Sequence, residues 1–194
     1  MTEYNVVLAG VGGQGVLLFA EILGVAAVKD GFNVRVSEIH GMAQRGGAVV
    51  SDVRIGEKML APTVLEGTAN AVVGLEPMEA LRNIKSANGK TLVLLNTAAV
   101  KPCVTSQKMS YPELHTIIEK IHLFTKNVVT IDATMVAESL GNVAVQNIVM
   151  LGAFVKVGGL PVKLETIKDS ICEVVPERFV NLNLKAFEAG YKKV

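Results

Sequence analysis

Short segments rich in Val, Leu and Ile alternate along this chain with longer segments of helical periodicity. The segments that predict strands are residues 5–9, 33–37, 70–75, 91–96 and 127–132. Most of them are nearly continuous in apolar residues, as expected for strands that are buried on both faces of a sheet. The alternation therefore predicts an α/β fold, with a mostly parallel sheet and helices on both of its faces.

Helical spacing predicts helices at 15–29, 77–87, 111–126, 142–157, 163–174 and 177–191. The last three are expected to form a C-terminal helical cap on the sheet. The helix at 142–157 is apolar almost all round and is interrupted by Gln146 and Asn147. Such a helix is either buried within its own domain or pressed against another subunit, and the sequence leaves both interpretations open.

The segment after the second predicted strand departs from the alternation of strand and crossover helix. Between residues 48 and 55, apolar residues alternate with Asp52 and Arg54, which predicts a strand with one solvated side. A turn and a short returning strand are expected to follow at 56–61. The sequence thus predicts an added half-exposed hairpin around 48–61.

Charge and cysteine content exclude several classes of function. The 194 residues include 19 Lys and Arg against 18 Asp and Glu, a net charge of +1, which argues against nucleic acid as a partner. The longest uncharged stretches are short for a bilayer span, so no membrane contact is expected. Cys103 and Cys172 form no CxxC motif, which favours a reducing cytoplasm. At this length we expect a single domain spanning 1–194.

A glycine-rich motif follows the first predicted strand and opens the first predicted helix. Its candidate cofactor-binding residues are Gly10, Gly12, Gly13, Gln14 and Gly15. This is the placement of the phosphate-binding loop in Rossmann-like folds, where glycines allow a tight turn and the free N–H groups of the helix favour an anion. The motif therefore predicts a phosphate-bearing ligand. The alternative is that the glycines only let strand and helix pack closely.

An acidic residue near the end of the second strand raises the alternative of an NAD-dependent enzyme. Glu38 lies 23 residues after Gly15, close to the position at which such enzymes hold the ribose. A loop follows Glu38 where those enzymes usually have a helix. No Gly-Lys-Ser/Thr closes the glycine motif, so a Walker A site is excluded.

The loop after the second predicted strand is a second concentration of glycines and polar residues. Its candidate residues are Glu38, His40, Gly41, Met42, Gln44, Arg45, Gly46 and Gly47. Ligands of open α/β sheets bind at the carboxyl ends of the strands, so this loop and the glycine loop can face one ligand. Arg45 suits a bidentate contact with a phosphate or carboxylate and joins the cofactor-binding candidates. The alternative is an irregular turn whose side chains are solvated.

Further polar residues give weaker signals. Glu76, Asn96 and Asp132 end other predicted strands and suit either the same crevice or a helix cap. His115 and His122 lie seven residues apart without a carboxylate or Cys at ligand spacing, so no metal site is predicted. No residue is assigned a catalytic role.

Three segments together resemble a known family. They are the glycine motif, the Glu-x-His-Gly-Met-x-Gln-Arg-Gly-Gly segment at 38–47, and Val53-Arg54-Ile55-Gly56. In combination they resemble the gamma-type subunit or domain of 2-oxoacid:ferredoxin oxidoreductases, and the 38–47 segment most resembles the small (beta) subunits of the indolepyruvate branch. The C-terminal stretch 183–191 is also family-like, so the resemblance covers nearly the whole chain.

This resemblance implies an oxidoreductase subunit without a complete catalytic site of its own. It would support the oxidative decarboxylation of aryl pyruvates to acyl-CoA, with electrons passing to ferredoxin. Thiamine diphosphate and iron–sulfur clusters would belong to a large partner subunit, because this chain has no Gly-Asp-Gly motif and only two Cys.

The resemblance and the motifs together set expectations for ligands and assembly. No cofactor is expected to be tightly bound in this chain, and coenzyme A is the candidate ligand of the crevice at the glycine loop. The 38–47 loop would face the active site of the partner. A homodimer of the isolated chain is compatible with this arrangement. The alternatives are the stand-alone NAD-dependent oxidoreductase and a non-enzymatic nucleotide-binding interaction module.

Overall fold

A single six-stranded sheet organises the chain. The computed structural model describes residues 3–40, 46–57, 61–100 and 111–194, with His40 described by its backbone alone. The strands are β1 (Glu3–Val11), β2 (Asn33–His40), β3 (Ala48–Gly56), β4 (Ala71–Gly74), β5 (Leu92–Asn96) and β6 (Val128–Ile131). Their order in the sheet is β2-β3-β1-β4-β5-β6. β1, β4, β5 and β6 pair in parallel, whereas β3 is antiparallel to both of its neighbours. The predicted α/β class is confirmed.

Helices cover both faces of this sheet. They are α1 (Val16–Lys29), α2 (Pro77–Arg82), α3 (Leu114–Ile121), α4 (Ala133–Ser139), α5 (Gln146–Val157), α6 (Leu164–Val174) and α7 (Glu177–Lys193). Alternate residues of β1 separate the two cores: Val6 and Leu8 pack with α1, α5 and α7, and Val7 packs with α2 and α3. None of the described helices is long and apolar enough to cross a membrane.

The structure decides the question that the sequence left open for α5. Every residue of this helix from Asn147 to Phe154 is buried within the chain. A Cβ added to Gly152 would lie 2.0 Å from the carbonyl oxygen of Phe187 in α7, so the two helices cross with their backbones in contact. The helix is therefore core, and the alternative of an intersubunit contact is wrong.

Hydrogen bonds at its two ends fix α5 along the length of β1. At one end the Asn147 Nδ2 donates to the carbonyl oxygen of Gly15, which follows β1, at 3.1 Å. At the other end the Tyr4 hydroxyl, at the start of β1, donates to the carbonyl oxygen of Gly158. The C-terminal helices thus form one layer with α1 on this face of the sheet.

The strand predicted at 48–55 pairs with other segments than the returning strand that was expected at 56–61. β3 pairs with β2 on one side and β1 on the other, so it lies inside the sheet. Residues 58–60 lie outside the described part of the chain, and Ala61 belongs to no strand. The polar side that suggested solvent exposure is covered: Asp52 Oδ2 accepts from the Val64 N–H at 2.9 Å, and Arg54 Nη1 donates to the Ala61 carbonyl at 2.7 Å.

Candidate functional site

The carboxyl ends of the parallel strands meet at one edge of the sheet, which we call the carboxyl edge. The glycine loop follows β1 there, and the end of the 38–47 loop lies directly against it. The Gly12 N–H donates to the Gly47 carbonyl oxygen at 2.8 Å, and the Gly46 N–H donates to the Gly12 carbonyl oxygen at 3.4 Å. The structure therefore brings together the two loops that the sequence singled out.

Glycine is required in the glycine loop for two physical reasons. Gly13 and Gly15 have φ angles of 99° and 74°, in the left-handed region that other residues rarely adopt. Gly10 has ordinary dihedral angles, but a Cβ there would lie 2.8 Å from Gln14 Oε1. The loop thus makes a tight turn that delivers the first turn of α1 to the carboxyl edge.

Gln14 is buried beneath this loop and has both ends of its amide bonded within the chain. Its Oε1 accepts from the Val11 N–H at 2.9 Å, and its Nε2 donates to the Leu75 carbonyl at 3.0 Å. Gln14 therefore links the end of β1 to the end of β4. This geometry gives Gln14 a role in shaping the loop from within.

The N-terminus of α1 retains backbone donors. Within the described residues, no acceptor faces the N–H groups of Gly13 or Gly15. The Gly12 N–H, in contrast, is occupied by Gly47. The loop therefore offers an anion fewer amides than an open phosphate-binding loop would, but it keeps the positive end of the helix dipole at the carboxyl edge.

Asn147 is a component of this site that the sequence analysis did not select. It lies against Gly15, where a Cβ would be 2.4 Å from Asn147 Nδ2. The Asn147 side chain is buried, and its Oδ1 has no hydrogen-bond partner among the described residues. The signal in the sequence was the interruption of an apolar helix by two adjacent amides, Gln146 and Asn147.

A chain of polar side chains continues along the carboxyl edge from β5 to α5. Asn96 Nδ2 donates to the Leu75 carbonyl and to Thr134 Oγ1, both at 3.1 Å. The Thr134 hydroxyl in turn donates to Gln146 Oε1 at 2.8 Å. Asn96 Oδ1 accepts from the Ala133 N–H at 3.0 Å, which fixes the start of α4. Asn96 thus ties together the ends of three elements.

The acidic residues at this edge cap helices. Glu76 Oε2 accepts from the Glu79 N–H at 2.9 Å, and Asp132 Oδ1 accepts from the Met135 N–H at 2.8 Å. The buried Glu76 carboxylate also accepts from the hydroxyl of Tyr111. Burial and the neighbouring carboxylate raise the pKa of Tyr111 above its ordinary value. Neither acid is placed as a free general base.

Glu38 lies too far from the glycine loop to serve a dinucleotide in the usual way. β3 separates β2 from β1, so the two strands are about 10 Å apart, twice the usual strand spacing. In dinucleotide-binding folds these strands are direct neighbours. The Gly47 carbonyl also occupies the Gly12 N–H. Both observations weigh against the NAD-dependent alternative.

The other predicted site residues fall into two groups. Gly41, Met42, Gln44 and Arg45 lie outside the described residues, as does Cys103, and nothing is described of the His40 side chain. His115 and His122 lie on and just after α3, where each has a ring nitrogen 3.3 Å from a local oxygen. In the described part of the chain, no group of three or more His, Cys, Asp or Glu is arranged to hold a metal ion.

Comparison with known proteins places this geometry in a family. Residues 5–193 match the family described as pyruvate ferredoxin/flavodoxin oxidoreductase. The chain belongs to this family. It is 42% identical to the indolepyruvate oxidoreductase subunit IorB of Archaeoglobus fulgidus, over 97% of this chain and 94% of the relative.

Two solved structures share the fold of this member of the pyruvate ferredoxin/flavodoxin oxidoreductase family. The gamma subunit of a keto/oxoacid ferredoxin oxidoreductase from Geobacter sulfurreducens matches with a TM-score of 0.72 and 25% identity, covering 100% of this chain and 97% of that one. A 2-oxoglutarate:ferredoxin oxidoreductase from Magnetococcus marinus, described with 2-oxoglutarate, coenzyme A and succinyl-CoA bound, matches with a TM-score of 0.73 and 17% identity. It covers 99% of this chain and 31% of that chain.

The family assignment confirms the resemblance drawn from the sequence motifs. The chain is a small, gamma-type subunit of a 2-oxoacid:ferredoxin oxidoreductase. Its carboxyl edge offers backbone donors and neutral amides, and the described residues there place no nucleophile or free acid–base pair.

Proposed function

We propose that this chain is the small subunit of an oxidoreductase that converts aryl 2-oxoacids, indolepyruvate among them, to acyl-CoA with reduction of ferredoxin. The observation that carries the proposal is the pair of hydrogen bonds between Gly12 and residues 46–47, which anchors the 38–47 loop at the carboxyl edge. The name and the 42% identity of the Archaeoglobus relative support the aryl substrate.

The redox groups of the reaction belong, in this proposal, to a large partner subunit. Thiamine diphosphate would supply the decarboxylation chemistry there, and iron–sulfur clusters would carry electrons to ferredoxin. The composition of this chain supports the division, since two cysteines cannot provide the four thiolates of a cluster. The exposed, unpaired Cys172 is compatible with a reducing cytoplasm as the site of the complex.

Coenzyme A is the ligand that we assign to the glycine loop. The described residues fit a phosphate group, since the Gly13 and Gly15 N–H groups and the N-terminus of α1 favour an anion. The sequence offers Arg45 as the cation that would pair with it. Asn147 Oδ1, to which none of the described residues donates, would accept from an N–H or O–H group of the ligand or from a bridging water. This chain would thus hold the acyl acceptor while the partner's active site generates the acyl group.

The 38–47 loop is proposed to close the crevice on the side of the partner. Its C-terminal end is fixed to Gly12, and residues 38–40, which the sequence predicted as loop, belong to the edge strand β2. In this proposal His40, Met42 and Gln44 would be offered to the partner's active site, and Arg45 would bind a phosphate of the ligand. Substrate selection would rest chiefly with the partner.

The test uses the complex of this chain with its large subunit, purified by a tag on this chain. For Arg45→Ala we expect a KM for coenzyme A raised by about tenfold or more, because a charge-assisted contact is lost. The KM for indolepyruvate is expected to change little. Arg35→Ala, which removes the same charge from an exposed position on β2, is the matched control and should leave both constants unchanged.

Two outcomes would contradict the proposal in different ways. If the tagged chain assembles with no thiamine- and iron-containing large subunit, the proposed function fails. If the complex assembles and turns over but Arg45→Ala leaves the KM for coenzyme A unchanged, only the placement of coenzyme A fails.

A further inference from the structure

A second concave site lies at the opposite edge of the sheet, where the parallel strands begin. Its volume is about 570 Å³, within the range of small-molecule sites. Its walls come from the segments that precede β4, β5 and β6, and its floor includes Tyr4 of β1 and the end of α5 at Gly158 and Gly159. The length of the sheet separates it from the glycine loop.

Two lysines give this cavity a positive charge that no lining carboxylate offsets. Lys90 and Lys126 both line it, and no Asp or Glu is among its described lining residues. Lys126 Nζ donates to the His122 carbonyl at 2.9 Å, which uses one of its three N–H groups. Among the described residues, none forms an ion pair or hydrogen bond with Lys90 Nζ. The lysines are therefore available to an anion.

Two asparagines of the lining are held in fixed orientations. Asn70 Oδ1 accepts from the Asn5 N–H at 2.8 Å, so its NH₂ group is the part of the amide left to donate. Asn127 Nδ2 donates to the Lys90 carbonyl at 3.3 Å and so ties the loop of Lys90 to the start of β6. The cavity thus combines oriented amides with its cations.

One carbonyl oxygen at the end of α5 is already bonded within the chain. A helix C-terminus presents carbonyl oxygens that disfavour negative charge. Here the Tyr4 hydroxyl donates to the Gly158 carbonyl, so that oxygen already has a donor. Burial raises the pKa of Tyr4 above its ordinary value, and its hydroxyl therefore stays protonated.

The remaining wall is apolar. Leu92, Val129 and Val157 line the cavity beside the polar groups, and Leu92 and Val129 both pack on the α5 face of the sheet. A simple inorganic anion would leave this wall without a partner, whereas a ligand with a hydrocarbon body would bury it. We propose that this cavity binds a small organic carboxylate, with the carboxylate between Lys90 and Lys126 and an apolar body against the valine-rich wall. The proposal is independent of the function of the carboxyl edge.

The experiment is a titration of the full ¹⁵N-labelled chain, followed by amide chemical shifts. Phenylacetate is the probe, phenylacetamide its uncharged analogue and inorganic phosphate an anion without an apolar body. We expect phenylacetate to shift the resonances of Asn70, Asn127 and Gly159 saturably, and the other two compounds to shift them much less. Lys90→Gln and Lys126→Gln should each weaken phenylacetate binding about two- to fivefold.

Lys120→Gln, an exposed lysine of α3 outside the cavity, is the matched control and should leave binding unchanged. All three lysines are exposed, so the variants are expected to fold. Equal binding of phenylacetamide would overturn the role of charge, and equal binding of phosphate would overturn the role of the apolar wall. Phenylacetate shifts that do not saturate, or that survive replacement of both lysines, would overturn the site itself.

Discussion

The two halves of the sheet are built on different principles. The parallel half, β1 with β4, β5 and β6, is covered by helices on both faces. β1, β4 and β5 are almost entirely buried, and the edge strand β6 is only partly so. The antiparallel half, β2 with β3, has α1 on one face and the polar contacts of Asp52 and Arg54 to residues 61–64 on the other. The first half is packed on both faces, whereas the second is packed on one face, where Val53 and Ile55 join the core, and carries specific polar contacts on the other.

The parallel half of the sheet serves as the scaffold of the site, and the antiparallel half positions the loop that packs on Gly12. The parallel half delivers the glycine loop, Glu76, Asn96 and Asp132 to one edge, as any open α/β sheet would. The antiparallel half turns the chain back, so that residues 46–47 lie on Gly12. It leaves β2 as an edge strand on which Ile39 is 63% exposed and Val36 39% exposed. The feature that distinguishes this chain from a dinucleotide-binding fold therefore lies in its less apolar half.

The substitution with the largest expected effect, Gly152→Ala, tests whether helix packing stabilises the parallel half of the sheet. In Gly152→Ala, the new methyl group would lie 2.0 Å from the Phe187 carbonyl oxygen, and backbone atoms cannot yield as a side chain can. We expect the free energy of unfolding to fall by about 3 kcal/mol or more, measured by urea denaturation.

Gly89→Ala is the control for this substitution. A Cβ at Gly89 would meet nothing within 4 Å, and its φ is not in the left-handed region. Its free energy of unfolding should change by less than about 0.5 kcal/mol. Equal effects of the two substitutions would show that the contact between α5 and α7 does not limit stability.

The same division explains how far the sequence predicts this structure. Strands that are buried on both faces are nearly continuous in apolar residues and can be recognised from composition. The ends predicted for the parallel strands therefore lie within a residue or two of the observed ones. α4 was missed, because its seven residues are fewer than the window over which a helical period can be recognised. The predicted partner of β3 was also wrong, because alternation does not identify the neighbouring strands. The predicted solvated face was wrong as well, since alternation shows that a face is polar but not whether water or chain covers it.

Only some residues of the candidate site could likewise be predicted from the sequence. The two loops were found because glycines and polar residues are unusual in an apolar chain. Asn147 was overlooked, since its neighbour in space, Gly15, is 132 residues away in the sequence and only the fold brings them together. A single buried amide gives no pattern that periodicity can detect.

A second prediction tests whether polar contacts hold the antiparallel half. The Arg54 guanidinium pairs with Glu3 Oε2 at 2.7 Å and donates to the Ala61 carbonyl at 2.7 Å and to Asn5 Oδ1 at 3.1 Å. Its side chain is only 12% exposed. We expect Arg54→Ala to lower the free energy of unfolding by about 2 kcal/mol, because several partners lose a charged donor.

Arg35→Ala provides the matched control, since Arg35 lies directly opposite Arg54 on the neighbouring strand. Arg35 is exposed and donates only to the carbonyl of Val34 in the described structure. Two like charges placed opposite each other repel, so its removal should be neutral or slightly stabilising. If both arginines prove equally dispensable, polar contacts do not hold this half.

The smallest effect concerns pH and the buried carboxylate of Asp52. Burial raises the pKa of Asp52 above its ordinary value of 3.8, and the Val64 N–H and Arg54 oppose that shift. The folded chain therefore binds the proton more tightly than the unfolded chain, and the contribution of Asp52 to stability falls as pH rises above about 4.

Asp52→Asn keeps an oxygen that can accept from Val64 and removes the titrating group. The unfolding free energy of the wild type minus that of Asp52→Asn should therefore decline as pH rises from about 4 toward neutrality, by less than the Arg54→Ala effect. Urea denaturation across this interval measures the difference. A difference that grows with pH would mean that Arg54 outweighs burial, so that the antiparallel half gains stability from an ionised Asp52 and depends on charge pairing even more than the hydrogen bonds indicate.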